Sequence, residues 1–582
     1  SPDWELRFPL ASLQAITRIG SDHVPLLLAS MDERPRPPPR FRFENFWLRQ
    51  PGFVEAVQTH WVSARAEPHR QMSILEEWHH LSKRSRQFMK GWGANIGRDL
   101  RNQKASLLEE IRDPDLRADI SGISAEEWMH RYNLEDSLME IYSKEEEFWR
   151  QRSSINWVLF GDANTAYFQA IANGRRRRCS IPLLWEGGQL FQDPQAIRLL
   201  VDDFYKSLFQ GRQRNGVALA DHIWSRDQQI SPAENAILLA PFDAAEVETF
   251  VKAMNPMSAP GPDGLPVRFF QAFWPMVKDI ILDLFSEFSR GTLDMSRLNY
   301  GIISLIPKVP GAADIRQFRP ITVLNVIFRI LAKGYATRAA LIAPRIHHPN
   351  QSAFTKGRYI LDGILALHEI IHEVKSKHLR AVFFKIDFHK AYDTVHWSFL
   401  REVLLKRGFD PHWVARVMQL VTSGRTAVNI NGEVGPYFMT GQGVRQGDPI
   451  SPFLFNLVVD ALASILDLAK RAGHIRGVCP HLVTPGGLTH LQYADDTIMM
   501  VEGSDEDIQN LKFLLLCFQE MSGLKINFAK SEVMVMGYSQ GEAQRIANRL
   551  NCRLGSFPMT YLGMPLSDER LLEKDFRPII AK

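Results

Sequence analysis

The chain has 582 residues, 45% hydrophobic and 23% charged, with a formal net charge of +4, which predicts a globular protein of more than one domain. So small a net charge excludes bulk basicity as the source of any nucleic-acid binding, which would need local clusters of Lys and Arg instead. Four widely spaced cysteines without a C-x-x-C pair argue against a zinc module or a disulfide framework, and the lack of about 20 uninterrupted apolar residues argues against a membrane span or membrane partner.

The first part of the chain predicts a linker followed by helices. Residues 31 to 40, MDERPRPPPR, are proline-rich and charged, as is typical of a linker. Beyond Phe41, apolar residues recur at helical spacing, and we interpret the tryptophans among them as core residues rather than platforms for stacked bases. The two apolar faces comprise Ile74, Trp78, Leu81, Phe88 and Trp92, and Leu134, Leu138, Ile141, Tyr142 and Trp149.

A basic segment follows these helices. Residues 150 to 178 contain six arginines and a single acid, Asp162. Such a run is either a solvated helix face or a surface that contacts nucleic-acid phosphates, and the residue pattern alone leaves both open. Its consecutive members are Arg175, Arg176, Arg177 and Arg178.

Further along, short apolar segments predict strands alternating with helices. Residues 304 to 338 read as an apolar strand, a glycine-containing loop and an apolar helix, with six basic residues against one acid. Residues 381 to 387, AVFFKID, form another apolar strand that ends on Asp387. The following residues have helical spacing, so Asp387 is predicted where a strand gives way to a helix; the helical positions are Ala391, Val395, Phe399 and Val403.

The segment LTHLQYADDTIMMV, residues 488 to 501, predicts a β-hairpin with Asp495 and Asp496 at its tip. Aspartate is a good turn former, so the pair could serve only to close the hairpin. A third carboxylate in matching context, Asp387, favours a chemical role instead. Aspartates at the tips of neighbouring strands suit Mg²⁺, which prefers oxygen ligands, and two such ions about 3.5–4 Å apart assist in-line phosphoryl transfer.

Five motifs occur in order along this part of the chain: FFKIDFHKAYD, GQGVRQGDPISPFLFN, YADD, GLKINFAKSE and YLGMPL. In this order they resemble the palm motifs of reverse transcriptases, specifically the LINE-type non-LTR retrotransposon polymerases common in plants. The resemblance implies an α+β right-hand polymerase, with fingers and an antiparallel palm sheet, preceded by an all-α basic extension. It implies two Mg²⁺ ions held by Asp387, Asp495 and Asp496. It also implies DNA synthesis in the nucleus from deoxyribonucleoside triphosphates, on template RNA, at the 3′-OH of a primer DNA.

The resemblance also assigns nucleotide-binding residues by motif position. Lys308 and Arg319, in the fingers, would hold the incoming triphosphate, because cations neutralise the charge that grows on the leaving pyrophosphate. Tyr392 takes the position of a steric gate against the ribose 2′-OH, with an ordinary core tyrosine as the alternative.

Further motif residues follow in the palm. Gln446 would pack on the nucleotide and the template base. Lys530 or Lys525 would act as general acid for pyrophosphate, although a surface lysine is the ordinary interpretation of either. Asp393 and Asp448 are expected to make structural hydrogen bonds rather than to bind metal.

Two segments are predicted to contact the template. NQSAFTKGRYILDG resembles a further fingers motif, in which Lys356 and Arg358 would follow template phosphates. GDANTAYF looks like a segment that precedes the polymerase in plant elements. Because the consecutive arginines 175 to 178 lie beside it, contact with the backbone of template RNA is their favoured interpretation.

The first thirty residues resemble the end of the endonuclease that precedes the polymerase in these elements, with Ser21, Asp22 and His23 matching its terminal motif. The remaining metal ligands are absent and the chain begins at Ser1, so we expect a fragment without nuclease activity. The predicted domains are an endonuclease remnant (1–32), a linker and first helix (33–66), a helical basic extension (67–244), fingers and palm (245–566) and the start of a truncated thumb (567–582).

Two alternatives remain open. A group II intron maturase or telomerase-like enzyme would share the palm, but the endonuclease-like segment in front of it argues against both. A decayed copy of the element could bind RNA without catalysis, against which the intact aspartates argue.

Overall fold

The structure, a computed structural model, describes residues 4, 8, 11–15, 26–29, 40–67, 72–153, 165–212, 214, 216–483 and 486–580. Two compact units are assembled from separate segments of the chain. The first comprises residues 1–203, 242–330 and 426–437, and the second comprises 204–241, 331–425 and 438–582. This division differs from the predicted boundaries at residues 67 and 245, which stay predictions. Ser21, Asp22, His23 and nearly all of the predicted linker lie outside the described residues.

The helices follow the apolar spacing of the sequence. The longest begins at a capping box in which Ser73 and Glu76 exchange hydrogen bonds. Trp78 on its apolar face is buried, which confirms that it is a core residue. In chain order the helices are α1 (Phe53–Ala66), α2 (Ile74–Ile120), α3 (Ala125–Ser153), α4 (Thr165–Arg178), α5 (Pro194–Leu208), α6 (Pro232–Leu239), α7 (Ala244–Ala253), α8 (Val267–Ala272), α9 (Trp274–Arg290), α10 (Val326–Ile346), α11 (Ile360–Ser376), α12 (Ala391–Thr394), α13 (Trp397–Lys406), α14 (Pro411–Thr422), α15 (Ser451–Arg471), α16 (Asp505–Ser522), α17 (Gln540–Arg549) and α18 (Glu573–Ile580).

The strands are short and mostly antiparallel. In chain order they are β1 (Ser12–Ala15), β2 (Leu26–Ala29), β3 (Leu184–Glu186), β4 (Gln189–Phe191), β5 (Tyr300–Pro307), β6 (Phe318–Leu324), β7 (Ala381–Ile386), β8 (Arg425–Ile430), β9 (Glu433–Val434), β10 (Phe438–Met439), β11 (His490–Tyr493), β12 (Asp496–Val501), β13 (Glu532–Met536), β14 (Arg553–Leu554), β15 (Met559–Tyr561) and β16 (Met564–Leu566).

The prediction of an all-α extension is wrong for residues 184 to 191, where β3 and β4 form an antiparallel hairpin. Gly187 and Gly188 make its two-residue turn with φ of 58° and 82°. Two consecutive positive φ values are what a tight hairpin turn requires, and glycine adopts them without a steric cost. The Gly-Gly pair was therefore a usable sequence signal for this hairpin.

In the first unit, β5 pairs antiparallel with β6, so that Ile306 lies opposite Arg319. β8 flanks β5 on its other side and β9 pairs with β8. The sequence predicted a loop and then a helix after β5, and it missed β6. Pro320 lies inside that strand, and proline argues against a strand unless the strand lies at an edge of the sheet.

The second unit contains a sheet with the strand order β11-β12-β7-β13-β14. The first four strands pair antiparallel, as predicted, but β14 joins β13 in parallel, so the sheet is mixed. One face packs against α11, whose buried Leu367 and Ile371 contact a cluster that includes Phe383, Ile498 and Met534. This apolar packing holds the strand ends in fixed register, which the site depends on.

Two other helical predictions are modified by the structure. The helix predicted to follow Asp387 is two helices, α12 and α13, with a break at Val395 and His396. Serine is a typical N-cap residue, so the motif GQGVRQGDPISP predicts Ser451 as the N-cap of the apolar helix that follows it. In the structure Ile450 is the N-cap of α15, and no side chain caps that end. By length and composition α15 could cross a membrane, but 78% of its apolar window is buried, as in the core helix of a globular fold.

Candidate active site

The predicted hairpin is present, with its aspartates at the tip. β11 and β12 pair antiparallel and Tyr493 lies opposite Asp496, so Ala494 and Asp495 make a two-residue turn. Ala494 has a φ of 54°, in the left-handed region that residues other than glycine rarely adopt. Asp495 and Asp496 are both exposed. Their carboxylates therefore stand at the end of a buried strand pair, where a substrate can reach them.

Asp387 belongs to the same edge of the sheet. β7 and β12 pair antiparallel with Ile386 opposite Thr497. Continuing this register by one residue places Asp387 beside Asp496, and Asp387 is also exposed. The fold thus brings Asp387 together with two carboxylates that lie more than a hundred positions later in the sequence.

The electrostatics of Asp496 reflect this convergence. Desolvation and the neighbouring carboxylates of Asp495 and Asp387 raise its pKa above the ordinary value, and only Lys385 acts in the opposite direction. Like charges gathered at one point oppose ionisation, and a divalent cation removes that cost. The oxygen donors fit Mg²⁺. Among the described residues no three acidic, His or Cys side chains already surround one point, so the carboxylates would need to adjust to bind an ion.

Asp387 is held by two residues, Asn527 and Ser531, for which no role was predicted. Its backbone N–H donates to Ser531 Oγ over 3.1 Å, and its carbonyl accepts the backbone N–H of Asn527 over 2.7 Å. Asn527 Nδ2 also donates to Asp387 Oδ2 over 3.0 Å. The sequence signal was available, because both residues lie in the motif GLKINFAKSE. They orient the first aspartate.

Tyr392 lies on α12, close to the turn. Its ring stacks on Phe455 with 4.1 Å between centroids and an interplanar angle of 12°. Burial raises the pKa of the Tyr392 phenol, and the Asp495 carboxylate adds to the shift. The ring is therefore fixed against α15, and its phenol lies within the electrostatic influence of Asp495. This placement suits the predicted gate, whose role stays a prediction.

The loop around Gln446 is built on structural contacts. Asp448 Oδ1 accepts the backbone N–H of Ile450 over 3.2 Å, and its Oδ2 lies 3.5 Å from Arg445 Nη2, which confirms the predicted structural role of Asp448. Gly443 has a φ of 85°, and a Cβ there would lie 2.5 Å from the Asp393 carbonyl oxygen. This loop supports Gln446, which is half-buried, without assigning it a ligand.

Both candidate general acids lie near Asp387. The backbone N–H of His389 donates to the Lys525 carbonyl over 2.8 Å. Burial lowers the pKa of His389, with Asp387 opposing the shift and Lys530 and Lys525 reinforcing it. The side chains of Lys530 and Lys525 are exposed, and the general-acid role of either stays a prediction.

The predicted triphosphate ligands lie in the first unit. Lys308 and Arg319 are exposed at the same end of the β5–β6 pair. The backbone N–H of Lys308 donates to Gln317, and its Nζ lies 3.4 Å from the carbonyl oxygen of Arg316. The two cations are thus available to solvent.

The structure argues against the predicted template contact of Arg358. Its guanidinium donates to the backbone carbonyls of Pro344, His347, His348 and Gln351, which occupies the donors that a phosphate would need. Arg358 instead ties the loop in front of α11 to the end of α10. The neighbouring Lys356 is exposed, and its template contact stays a prediction.

The consecutive arginines form the last turn of α4. Arg175, Arg176 and Arg178 are exposed, whereas Arg177 is half-buried. The first residues of the neighbouring GDANTAYF motif lie outside the described residues. Three guanidinium groups on one turn provide a cationic patch, and RNA contact there stays a prediction.

Comparison with known proteins identifies the domain that carries this site. Residues 306–566 match the family model of the reverse transcriptase (RNA-dependent DNA polymerase). The chain is 26% identical over 506 residues to an uncharacterized 149 kDa protein of transposon TX1 from Xenopus laevis, which covers 85% of this chain and 37% of that protein. It is 26% identical over 247 residues to the retrovirus-related Pol polyprotein of a type-1 retrotransposable element R2 from Nasonia vitripennis, covering 42% of this chain and 22% of that protein.

A 68-residue stretch is also 37% identical to an uncharacterized mitochondrial protein of Arabidopsis thaliana, covering 12% of this chain and 55% of that protein. The chain spans less than two fifths of the length of either transposon protein. The match to residues 306–566 confirms the predicted reverse transcriptase domain, and the similarity to both transposon proteins agrees with the predicted non-LTR retrotransposon origin. The LINE subtype and the plant source stay predictions.

Proposed function

We propose that this chain is the polymerase portion of a plant LINE-type retrotransposon protein and that it copies template RNA into DNA in the nucleus. Its substrates would be a primer DNA with a free 3′-OH and deoxyribonucleoside triphosphates. The observation that carries the proposal is the register that places Asp387 beside Asp496, next to the turn residue Asp495, at one exposed edge of a mixed sheet.

The chemistry is a nucleotidyl transfer. The primer 3′-OH loses its proton to solvent and its oxygen attacks the α-phosphorus. The bond from that phosphorus to the bridging oxygen breaks, and pyrophosphate leaves with its charge neutralised. When bound, a pair of Mg²⁺ ions held by Asp387, Asp495 and Asp496 would supply that charge stabilisation and activate the 3′-OH. The protein keeps Asp387 oriented through Asn527 and Ser531, and it offers Lys530 or Lys525 to protonate the pyrophosphate.

Primer extension tests this proposal directly. The intact chain is incubated with oligo(dT) annealed to poly(rA), thymidine triphosphate and Mg²⁺, beside an Asp495→Asn variant and beside a poly(dA) template. We expect extension on RNA that depends on Mg²⁺ and is lost in the variant.

The runner-up is a chain that binds RNA without catalysis, and the same experiment separates the two functions. A folded chain that retains the poly(rA) hybrid in a gel-shift assay but adds no nucleotide, at any Mg²⁺ or Mn²⁺ concentration, would exclude the polymerase and support the runner-up.

A further inference from the structure

The turn that carries Asp495 is contacted from outside its own hairpin by the side chain of Gln351. Gln351 is completely buried. Its Oε1 accepts the backbone N–H of Ala494 over 3.0 Å and the backbone N–H of Ala353 over 3.0 Å. Because both groups that face this end of the amide are donors, the oxygen must be the atom that meets them. One side-chain atom thus joins the catalytic turn to a loop 143 positions earlier in the chain.

The residue that Gln351 contacts is the strained one. Ala494 holds a φ of 54° and is buried, so its N–H has no access to water. In a two-residue hairpin the strands' ladder ends at Tyr493 and Asp496, so this N–H needs an acceptor from elsewhere. A left-handed alanine persists only where its surroundings hold it. The Gln351 oxygen supplies both the acceptor and the constraint, one residue before Asp495.

Gln351 is itself anchored on several sides. Residues 350 to 352 run parallel to β11: the backbone N–H of Gln492 donates to the Asn350 carbonyl over 2.9 Å, and that of Ser352 donates to the Gln492 carbonyl over 3.1 Å. Arg358 Nη1 donates to the Gln351 carbonyl over 2.6 Å. We call the contact of the Gln351 side chain with Ala494 the clamp. It is rigid, because the backbone of residues 350 to 352 is hydrogen-bonded to β11 and to Arg358.

We propose that Gln351 is a positioning residue for catalysis: by holding Ala494 it sets the direction in which Asp495 presents its carboxylate to metal and substrate. The kinetic part of this inference rests on the proposed polymerase function. Groups that orient metal-binding carboxylates act on rate and metal affinity more than on binding of the template, and their loss typically costs about 10- to 100-fold.

The test replaces Gln351 by methionine, which keeps the length of the side chain and removes the acceptor. Gln271→Met is the matched control, since it makes the same change at a glutamine whose Nε2 donates to the carbonyls of Val251 and Met254 in the first unit. For Gln351→Met we expect a kcat about 10- to 100-fold lower and a higher half-saturating Mg²⁺ concentration, with an unchanged KM for the primer–template. The control should keep parental values. Equal losses in both variants, or parental kinetics in Gln351→Met, would overturn the proposal.

A second variant keeps the test decisive if the methionine variant does not fold. Gln351→Glu retains an acceptor oxygen towards Ala494, so we expect the Mg²⁺ dependence of the parent and a kcat well above that of Gln351→Met. A folded Gln351→Glu variant whose Mg²⁺ dependence departs from the parent's would count against the clamp.

A readout without catalysis separates this inference from the proposed function. Hydrogen–deuterium exchange of the 488–501 peptide should be slow at the Ala494 amide in the parent and in Gln351→Glu. It should be faster in Gln351→Met, with the strand amides unchanged. If the parent adds no nucleotide, the polymerase proposal fails, whereas the exchange result still decides whether Gln351 holds the turn. Fast exchange at Ala494 in the parent would refute the clamp itself.

Discussion

Asn527 donates its side-chain amide to the carboxylate of Asp387, with 3.0 Å between Nδ2 and Oδ2. The bond orients a proposed metal ligand, so we expect Asn527→Ala to lower kcat about 10- to 100-fold while the KM for the primer–template stays the same. Steady-state primer extension measures both constants. Asn510→Ala is the control, because it removes an amide that donates to the His474 carbonyl instead. An Asn527→Ala kcat within twofold of the parent would contradict the orienting role.

The aspartates themselves should matter more. Asp387→Ala or Asp495→Ala removes a proposed metal ligand, and we expect primer extension to fall on the order of a thousandfold or more. Single-turnover rates at saturating Mg²⁺ provide the measurement. Asp505→Asn serves as the control, since Asp505 is exposed and pairs with Arg549 on the surface. If Asp387→Ala extends the primer at a rate within tenfold of the parent rate, Asp387 is not a metal ligand in catalysis.

The raised pKa of Asp496 leads to a prediction about how the stability of the folded protein depends on pH. Desolvation, Asp495 and Asp387 raise this pKa in the folded protein, so the ionised carboxylate disfavours folding at neutral pH. Between the unfolded and the raised folded pKa the folded state binds more protons, and stability therefore falls as the pH rises through that window. In Mg²⁺-free buffer at pH 7 we expect Asp496→Asn to have a higher Tm than the parent, with the difference shrinking as the pH is lowered towards 4.

Calorimetry across that pH range measures the effect, with Asp505→Asn again as the control. Adding Mg²⁺ should raise the Tm of the parent more than that of Asp496→Asn, because a bound cation relieves the same repulsion. A Tm of Asp496→Asn at or below the parent value at pH 7 would show that the carboxylates do not repel one another in solution.

The basic turn of α4 leads to a prediction about RNA affinity. Each phosphate contact on a single strand contributes a slope of about 0.7 to the dependence of log K on log salt. We expect the double variant Arg175→Ala/Arg176→Ala to weaken RNA binding irrespective of sequence and to flatten that slope by about 1.4. Arg98→Ala/Arg101→Ala, on α2, removes the same charge from another exposed surface and is the control. If the slope of log K against log salt is identical in the two double variants, the arginines 175 to 178 form a solvated helix face and do not contact RNA.

The sequence predicted the site best where its signals are local. An apolar strand that ends on Asp387 and a hairpin around Asp495 and Asp496 follow from short apolar runs of a few residues each, and both are present. The partners of these aspartates could not be found in that way. Gln351 contacts Ala494 across 143 positions and Asn527 contacts Asp387 across 140, and no periodicity reports on such contacts.

Two differences between the sequence predictions and the structure have separate physical causes. Arg358 was predicted to bind phosphate because its positive charge is evident from the sequence. The four backbone carbonyls that accept hydrogen bonds from its guanidinium become its neighbours only on folding. The β3–β4 hairpin was missed because its strands are only three residues long, too short to show the alternation of apolar and polar residues. The Gly-Gly turn between them was the usable signal.

The last prediction concerns Tyr392, whose ring stacks on Phe455 at 4.1 Å. That contact fixes the ring against α15, so a gate made by it would discriminate by sterics rather than by the phenol hydroxyl. Tyr392→Phe should therefore exclude ribonucleotides as the parent does, whereas Tyr392→Val should accept them much more readily and still use deoxyribonucleotides.

Single-nucleotide incorporation of rNTP and dNTP by the three proteins gives the ratio of kcat/KM for each. The phenylalanine variant is the matched control, because it keeps the stacked ring and loses only the hydroxyl. If Tyr392→Val is folded and active but rejects ribonucleotides as strongly as the parent, the stack on Phe455 is simply core packing. If Tyr392→Phe alone loses selectivity, the hydroxyl discriminates and the steric argument is wrong.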